Sequence, residues 1–317
     1  MTPIFIGGTG RSGSTVLKSI LSTCTISRSI PQELRFIIDP GGLLDLSDEL
    51  GPKWTPQRAD IGLHNFRCLL KDVSHHSNFS RILGKIASTI GLSQNRYTNY
   101  ALADYFGPRQ FQHSIELFFN DLGASIEPGY WAGTPAYAVP SRIQISRPVS
   151  KSKFSDCTRT LMHNLYSGLP GKSGAEQWID DTPYNILESL RLLELFPDAR
   201  FIEIQRDPID VIASQVEQTW GSNKLQTITI QVKDIIERSK SVTNNLPSHT
   251  FMRVSLEELV RDSEGQLREI GDFLDINIDA EKVASKTKFT KESANLGAWT
   301  RRLSHSEIEV CKKILNQ

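Results

Sequence analysis

Apolar positions along the chain change period several times, and each change predicts an element. Residues 3–6 (Pro-Ile-Phe-Ile) form a short apolar run closed by Gly7 and Gly8, with the length and β-branching of a buried strand. Across 14–23, Val16, Leu17, Ile20 and Leu21 recur at helical spacing. The chain therefore opens strand, glycine-rich turn, helix. Residues 45–170 mix Gly, Pro, Ser and aromatics with helical patches at 79–90 and 114–122, and predict an irregular, mostly helical stretch. From Trp178 the pattern sharpens. Residues 185–196 are amphipathic and stop at Pro197; 200–204 read as a strand; Pro208 sits where the first turn of a helix tolerates it. That helix is expected to run to about Trp220, followed by a longer one over 225–245 and a strand over 250–254. Ser255 and Glu258 then carry capping-box spacing.

Strands alternating with helices predict an α/β fold with a mainly parallel central sheet covered on both faces. The 317 residues suit a single domain, 1–317, with an insertion at about 45–170. Lys+Arg and Asp+Glu are equal at 36 each, which removes any whole-surface attraction to nucleic acid or membrane but leaves a local anion site open. Cys24, Cys68, Cys157 and Cys311 are far apart, without zinc-ligand spacing, and too few for a disulfide framework. No apolar run reaches the ~18 residues of a membrane span and no signal-peptide pattern opens the chain. The expectation is a soluble cytoplasmic protein or, alternatively, the soluble catalytic domain of a membrane-anchored one.

Gly8-Thr9-Gly10-Arg11-Ser12-Gly13-Ser14-Thr15 matches the phosphate-loop pattern G-x-x-x-x-G-K-[ST] except that Ser14 replaces the lysine. Glycines let backbone N–H groups converge on an anion, and the helix N-terminus adds positive potential. The missing lysine counts against ordinary ATP or GTP hydrolysis; Arg11 can supply the charge instead. Arg206 ends a strand, Pro208 starts a helix and Ser214 lies about two turns along it, so a guanidinium and a hydroxyl stand ready for a second phosphate.

With these residues the chain resembles the sulfotransferases that use 3′-phosphoadenosine 5′-phosphosulfate (PAPS). Gly10 to Thr15 is similar to the family's 5′-phosphosulfate loop, in the arginine form of tyrosylprotein and bacterial carbohydrate-type members. The stretch from Arg206 to Ser214 is similar to the 3′-phosphate element, and Gly297-Ala298-Trp299-Thr300-Arg301-Arg302 to the C-terminal segment that closes over the nucleotide. The resemblance covers roughly 1–40 and 175–305. It implies a P-loop-type three-layer α/β/α fold with a helical insertion, PAPS as co-substrate, no required metal, and a carbohydrate, small-molecule or peptide acceptor, with acceptor choice in the insertion. Nucleotide contacts then fall to Gly10, Arg11, Ser12, Gly13, Ser14, Thr15, Arg206, Ser214, Trp299, Arg301 and Arg302.

Sulfuryl transfer to a hydroxyl or amine needs a base. The resemblance points to Glu33, with Arg35 orienting it or contacting the acceptor and Arg11 stabilising the transferred group; His75 and His76 are weaker candidates. Asp181 stands where the family often has lysine, leaving that role to Lys18 or Arg11, and Asp181, Tyr184 and Asn185 are assigned to the acceptor side. The alternative reading of this stretch is helix capping by Thr182 before Pro183. Two other readings stay open: a kinase using ATP on the same loop, and a catalytically silent protein that binds a nucleotide or sulfated glycan.

Overall fold

The structure, a computed structural model, describes residues 1–24, 27–74, 97, 99–132, 142–169, 176–279, 283 and 294–316. His75, His76 and the patch at 79–90 lie outside the described residues. Two compact units are present: the first comprises Met1–Ser29, Lys172–Leu193 and Pro197–Gln317, the second Ile30–Gly171 and Glu194–Phe196.

Seven strands are described: β1 (Thr2–Gly7), β2 (Ser27–Ser29), β3 (Ser125–Pro128), β4 (Arg142–Ile145), β5 (Gln177–Asp180), β6 (Arg200–Gln205) and β7 (Phe251–Ser255). In the first unit they form a five-stranded sheet of order β2-β5-β1-β6-β7 with every pairing parallel. The expected parallel α/β architecture is thus the one observed. β1 is the central strand. Ile4 and Ile6 of β1 and Ile202 and Ile204 of β6 pack with Leu17, Ile20 and Leu21 of helix Ser14–Cys24 and with Leu267, Ile270 and Leu274 of helix Ser263–Leu274. Phe5, Trp178 and Phe201 occupy the alternate positions, with Phe5 and Phe201 stacked at 5.5 Å. Both faces of the central strands are apolar, which is why they read as continuous runs rather than alternation.

Helices Pro208–Val216, Leu225–Thr243 and His305–Leu315 share a further cluster built on Val211, Ile212, Ile228, Val232, Ile308 and Cys311. From the carboxyl end of β1 the chain passes to β2 on one side; from β6 it passes to β7 on the other. The carboxyl ends of β1 and β6 thus flank a topological switch point, the crevice where ligands of open α/β sheets bind.

Several local expectations are corrected. The segment read as one amphipathic helix, 185–196, is a 3₁₀ turn, Pro183–Glu188, followed by helix Ser189–Leu195; Asn185 is tied back to Asp180 by a 2.6 Å bond, which holds the chain in the tighter turn. The helix from Pro208 ends at Val216 rather than near Trp220, where Gly221 adopts φ +82. The patch at 114–122 belongs to helix Pro108–Asp121, begun earlier by a proline in its first turn. β2 was not foreseen because Ser-Arg-Ser carries no apolar signal; it exists through pairing with β5. Thr182 does not cap: its buried hydroxyl makes no hydrogen bond among the described residues.

The second unit is mainly helical, with helices Leu43–Leu50, Pro56–Ser74, Leu102–Phe106, Pro108–Asp121 and Lys151–Ser167 and the antiparallel pair β3–β4. Its core is aromatic: Phe66 packs against Phe36, Phe118 and Phe119, and Phe106 meets Tyr166 edge-on. Among the middle aromatics, Tyr97 is buried while Tyr105 and Tyr130 are exposed.

Candidate functional site

The glycine loop leaves β1 along a path only glycine permits. A Cβ on Gly7 would lie 2.8 Å from Pro183 O and Ile186 N, and one on Gly8, at φ +159, 2.5 Å from Ile204 O and Ser12 Oγ. Gly10, Arg11 and Gly13 all have positive φ. For Arg11 this conformation costs about 1–2 kcal/mol, and two contacts hold it. Arg11 Nε donates to Ser214 Oγ at 3.1 Å, and Arg206 Nη1 donates to Arg11 O at 3.2 Å. The loop and the strand-to-helix turn after β6, some two hundred residues apart in sequence, thus meet at the switch point. Ser12 is fully buried beneath the loop; Ser14 is buried and Thr15 exposed at the start of helix Ser14–Cys24.

Arg206 is the hub of the second element. Its side chain is only 6% exposed, its Nη2 donates to Asn295 O at 2.5 Å, and Asp210 lies 3.7 Å away. Burial pushes the Arg206 pKa below its ordinary value; Asp210 and Glu257 oppose this, and the cations Arg302 and Arg11 add to it. An anion bound at Arg206 would relieve the repulsion it meets from these two guanidinium groups. Arg206 Nε and Ser12 Oγ are buried without a hydrogen bond among the described residues. These features fit an anionic, phosphate-bearing ligand.

Asp210 was not singled out from the sequence, yet it organises the C-terminal segment. Gly297 N donates to its Oδ2 at 2.7 Å and Trp299 N to its Oδ1 at 3.1 Å. Its one readable signal was its place four residues after Arg206, one helical turn on. Trp299 packs on the Val211–Ile228 cluster, Arg302 pairs with Glu217 at 3.0 Å, and Arg301 is exposed. Asp207 Oδ1 accepts from Ile209 N as the helix cap, and Asp207 N donates to Glu257 Oε1.

Behind the loop lies a buried polar cluster. Lys18 Nζ pairs with Asp181 at 2.5 Å, both side chains nearly inaccessible. Asp180 turns elsewhere, to Asn185, which is also fully buried. Of the three residues assigned to the acceptor, only Tyr184 reaches the surface, 38% exposed.

Glu33 and Arg35 belong to the second unit. Leu34, Phe36 and Ile37 are fully buried and anchor a turn closed by Ile37 N to Leu34 O and Asp39 N to Arg35 O. Glu33 and Arg35 remain half-buried. Arg35 donates from Nη1 to Glu33 Oε2 at 3.2 Å and from Nε to Asp39 Oδ2 at 2.9 Å. Tyr100 OH donates to Glu33 Oε2 at 3.3 Å, and Tyr97 OH to Asp39 Oδ2 at 2.7 Å. Burial disfavours the Arg35 cation, but Asp39 and Glu33 outweigh it and raise its pKa. Burial, and then Glu33, push the Tyr100 hydroxyl well above its ordinary range, so it stays a donor. Asp39 carried no sequence signal, and Tyr97 and Tyr100 only that of aromatics in the irregular middle stretch; 58 residues separate the bonded pair Asp39 and Tyr97.

Among the described residues, no group of three or more His, Cys, Asp or Glu could hold a metal, and no helix is long and apolar enough to cross a membrane.

A model of the sulfotransferase family matches residues 3–280. The sulfotransferase domain of the Synechococcus PCC 7002 olefin synthase superposes with a TM-score of 0.51 at 16% identity, covering 98% of this chain and 93% of that one. Sulfotransferase STF9 from Mycobacterium avium gives a TM-score of 0.45 at 16% identity over 99% of this chain and 75% of its own. No curated protein matches the chain in sequence.

Proposed function

The chain belongs to the sulfotransferase family, and from that premise we propose that it transfers the sulfuryl group of PAPS to a hydroxyl or amine acceptor, with Glu33 as general base. The observation that carries the reading is the Arg11 Nε–Ser214 Oγ hydrogen bond, which brings two anion-binding elements together at one switch point.

When bound, the nucleotide supplies an activated sulfuryl group on a phosphate leaving group; such transfers rely on positioning and electrostatics. The backbone N–H groups of Gly10, Ser12, Gly13, Ser14 and Thr15, with the helix N-terminus behind them, hold the 5′ end. Arg11 supplies the cation that the Ser14 position lacks. Arg206 and Ser214 hold the 3′-phosphate, and Trp299, Arg301 and Arg302 belong to the segment that closes over it, drawn in by Asp210. Glu33 takes the acceptor's proton, held in orientation by Arg35 and Tyr100. Lys18 is committed to Asp181, so the charge facing the leaving group falls to Arg11. On the acceptor side, Tyr184 makes contact while Asp181 and Asn185 support it from behind. The transferred group carries less charge than a phosphoryl group, so binding and transfer proceed without a metal.

The test is calorimetric titration with 3′-phosphoadenosine 5′-phosphate in EDTA, beside ATP with magnesium, for wild type and Arg206→Ala. Charge-assisted bonds of about 1.5–3 kcal/mol predict metal-free binding weakened about 10- to 100-fold by the substitution. A clear preference for magnesium ATP would replace this reading with a kinase.

A further inference from the structure

A cavity of about 430 Å³ opens in the first unit between the 3₁₀ turn Pro183–Glu188, the segment after helix Pro208–Val216 and one stripe of helix Leu225–Thr243. That volume lies within the ~300–1,000 Å³ of small-molecule sites. Tyr184, Gln215, Trp220, Ser222, Gln231 and Asp234 supply its polar and aromatic lining, over an apolar floor at Ile228 and Ile235. Positions 228, 231 and 235 are spaced three and four apart, so one helix face serves the cavity.

Two walls are tied to the glycine loop. Pro183, next to Tyr184, accepts from Gly8 N at 2.8 Å, and Gln215 Nε2 donates to Thr9 O at 3.3 Å. The cavity is therefore built beside the loop that, on the proposed function, carries the sulfuryl end. Ser214, bonded to Arg11, is the residue before Gln215. A ligand here is next to the nucleotide elements without sharing their side chains.

The lining states the class of ligand. Trp220 is 56% exposed, held out where the helix has ended and Gly221 turns at φ +82. Tyr184 is the second exposed ring of the lining. Exposing two large aromatics at a cavity forgoes burial energy, as sites do that offer a flat apolar face to a ligand. Around them stand two amides, a hydroxyl and one carboxylate, the side chains that pair with vicinal hydroxyl groups. Among the described residues no lysine, arginine or histidine lines the cavity, and Asp234 places a negative charge in it. An anionic ligand is thereby disfavoured, and a purely apolar one would leave Gln231 and Asp234 desolvated without partners. We propose that this cavity is the acceptor site and that its ligand is a neutral carbohydrate, stacked on Trp220 and Tyr184 and held through its hydroxyls by Gln231 and Asp234. The inference rests on the sulfotransferase reading.

The experiment uses the full chain labelled with 5-fluorotryptophan. Its five tryptophans give five fluorine resonances, and Trp220→Phe assigns that of Trp220. Neutral oligosaccharides (cellotriose, maltotriose, lactose and N-acetylchitotriose) are titrated beside a sulfated disaccharide and 4-nitrophenol, and bisphosphate binding is measured separately by calorimetry. The expected result is a saturable shift of the Trp220 resonance with at least one neutral sugar. Affinity should fall at least tenfold in Trp220→Ala and in Asp234→Ala, with bisphosphate affinity unchanged within twofold. Three results would overturn the inference while leaving the transfer reaction standing: bisphosphate binding with no neutral sugar shifting Trp220, a stronger response to the sulfated disaccharide or the phenol, or sugar binding indifferent to both substitutions. Absence of bisphosphate binding would bring down the sulfotransferase reading first, and this inference with it.

Discussion

Asp210 receives two backbone N–H groups from the C-terminal segment and faces Arg206, and it is almost fully buried. In Asp210→Ala both amides lose a charged acceptor. Each charge-assisted bond contributes about 1.5–3 kcal/mol, so the segment's resistance to local opening should fall by about 3–6 kcal/mol. The buried Arg206 pair at 3.7 Å is too long for a direct hydrogen bond, and its Coulombic loss comes on top of that sum. Because the segment is also held by the Arg206 Nη2–Asn295 O bond, the Arg302–Glu217 pair and Trp299 packing, the loss should appear as local opening rather than global unfolding. At about 1.4 kcal/mol per tenfold, protection of the Gly297 and Trp299 amides should drop roughly 10²- to 10⁴-fold. Asp210→Asn keeps one acceptor oxygen and should fall between. Hydrogen exchange followed by mass spectrometry on peptides covering 294–303 reads this directly, with protection in β1 and β6 as the internal reference. Unchanged protection of those two amides in a folded Asp210→Ala protein would refute the reasoning. A uniform loss across the sheet would show instead that Asp210 supports the whole unit.

Glu33→Gln should leave bisphosphate affinity unchanged and lower kcat by about 10²- to 10⁴-fold; full turnover in that variant would remove the base assignment. Lys18→Met strands the buried Asp181 carboxylate and should cost about 3–5 kcal/mol in urea denaturation, much of it recovered by Lys18→Met with Asp181→Leu; equal stability of single and double variants would show the pair to be uncoupled. The Tyr100 pKa is raised above its ordinary 10.0, so the folded state keeps a proton that the unfolded chain releases. That stabilisation is complete below about pH 10 and is lost as pH rises further. The Tm of wild type should therefore fall more steeply than that of Tyr100→Phe above about pH 10, and parallel curves would place Tyr100 in an ordinary solvated setting.

Much of the first unit was legible because its signals are local. Ile4, Ile6, Ile202 and Ile204 announce buried strands by their own side chains, and Pro208 with Asp207 announces a helix start by backbone chemistry alone. β2 was illegible because Ser27, Arg28 and Ser29 have no apolar content; hydrogen bonding to β5 makes them a strand. The 3₁₀ turn at Pro183 was missed because an amphipathic pattern does not report the Asn185–Asp180 bond that tightens it.

The sequence by itself determined the alternation that makes a parallel sheet, the glycines that let the loop turn at positive φ, and the placement of Arg206 at a strand end. These follow from side-chain size, backbone sterics and spacing within a few residues of one another. Only the tertiary structure decided which groups meet: Arg11 with Ser214, Asp210 with Gly297 and Trp299, Lys18 with Asp181, and Tyr184 with Trp220 around one cavity. Their separations run to two hundred residues. No local pattern specifies such a pairing, because it is set by strand order and by which buried polar group must find a partner.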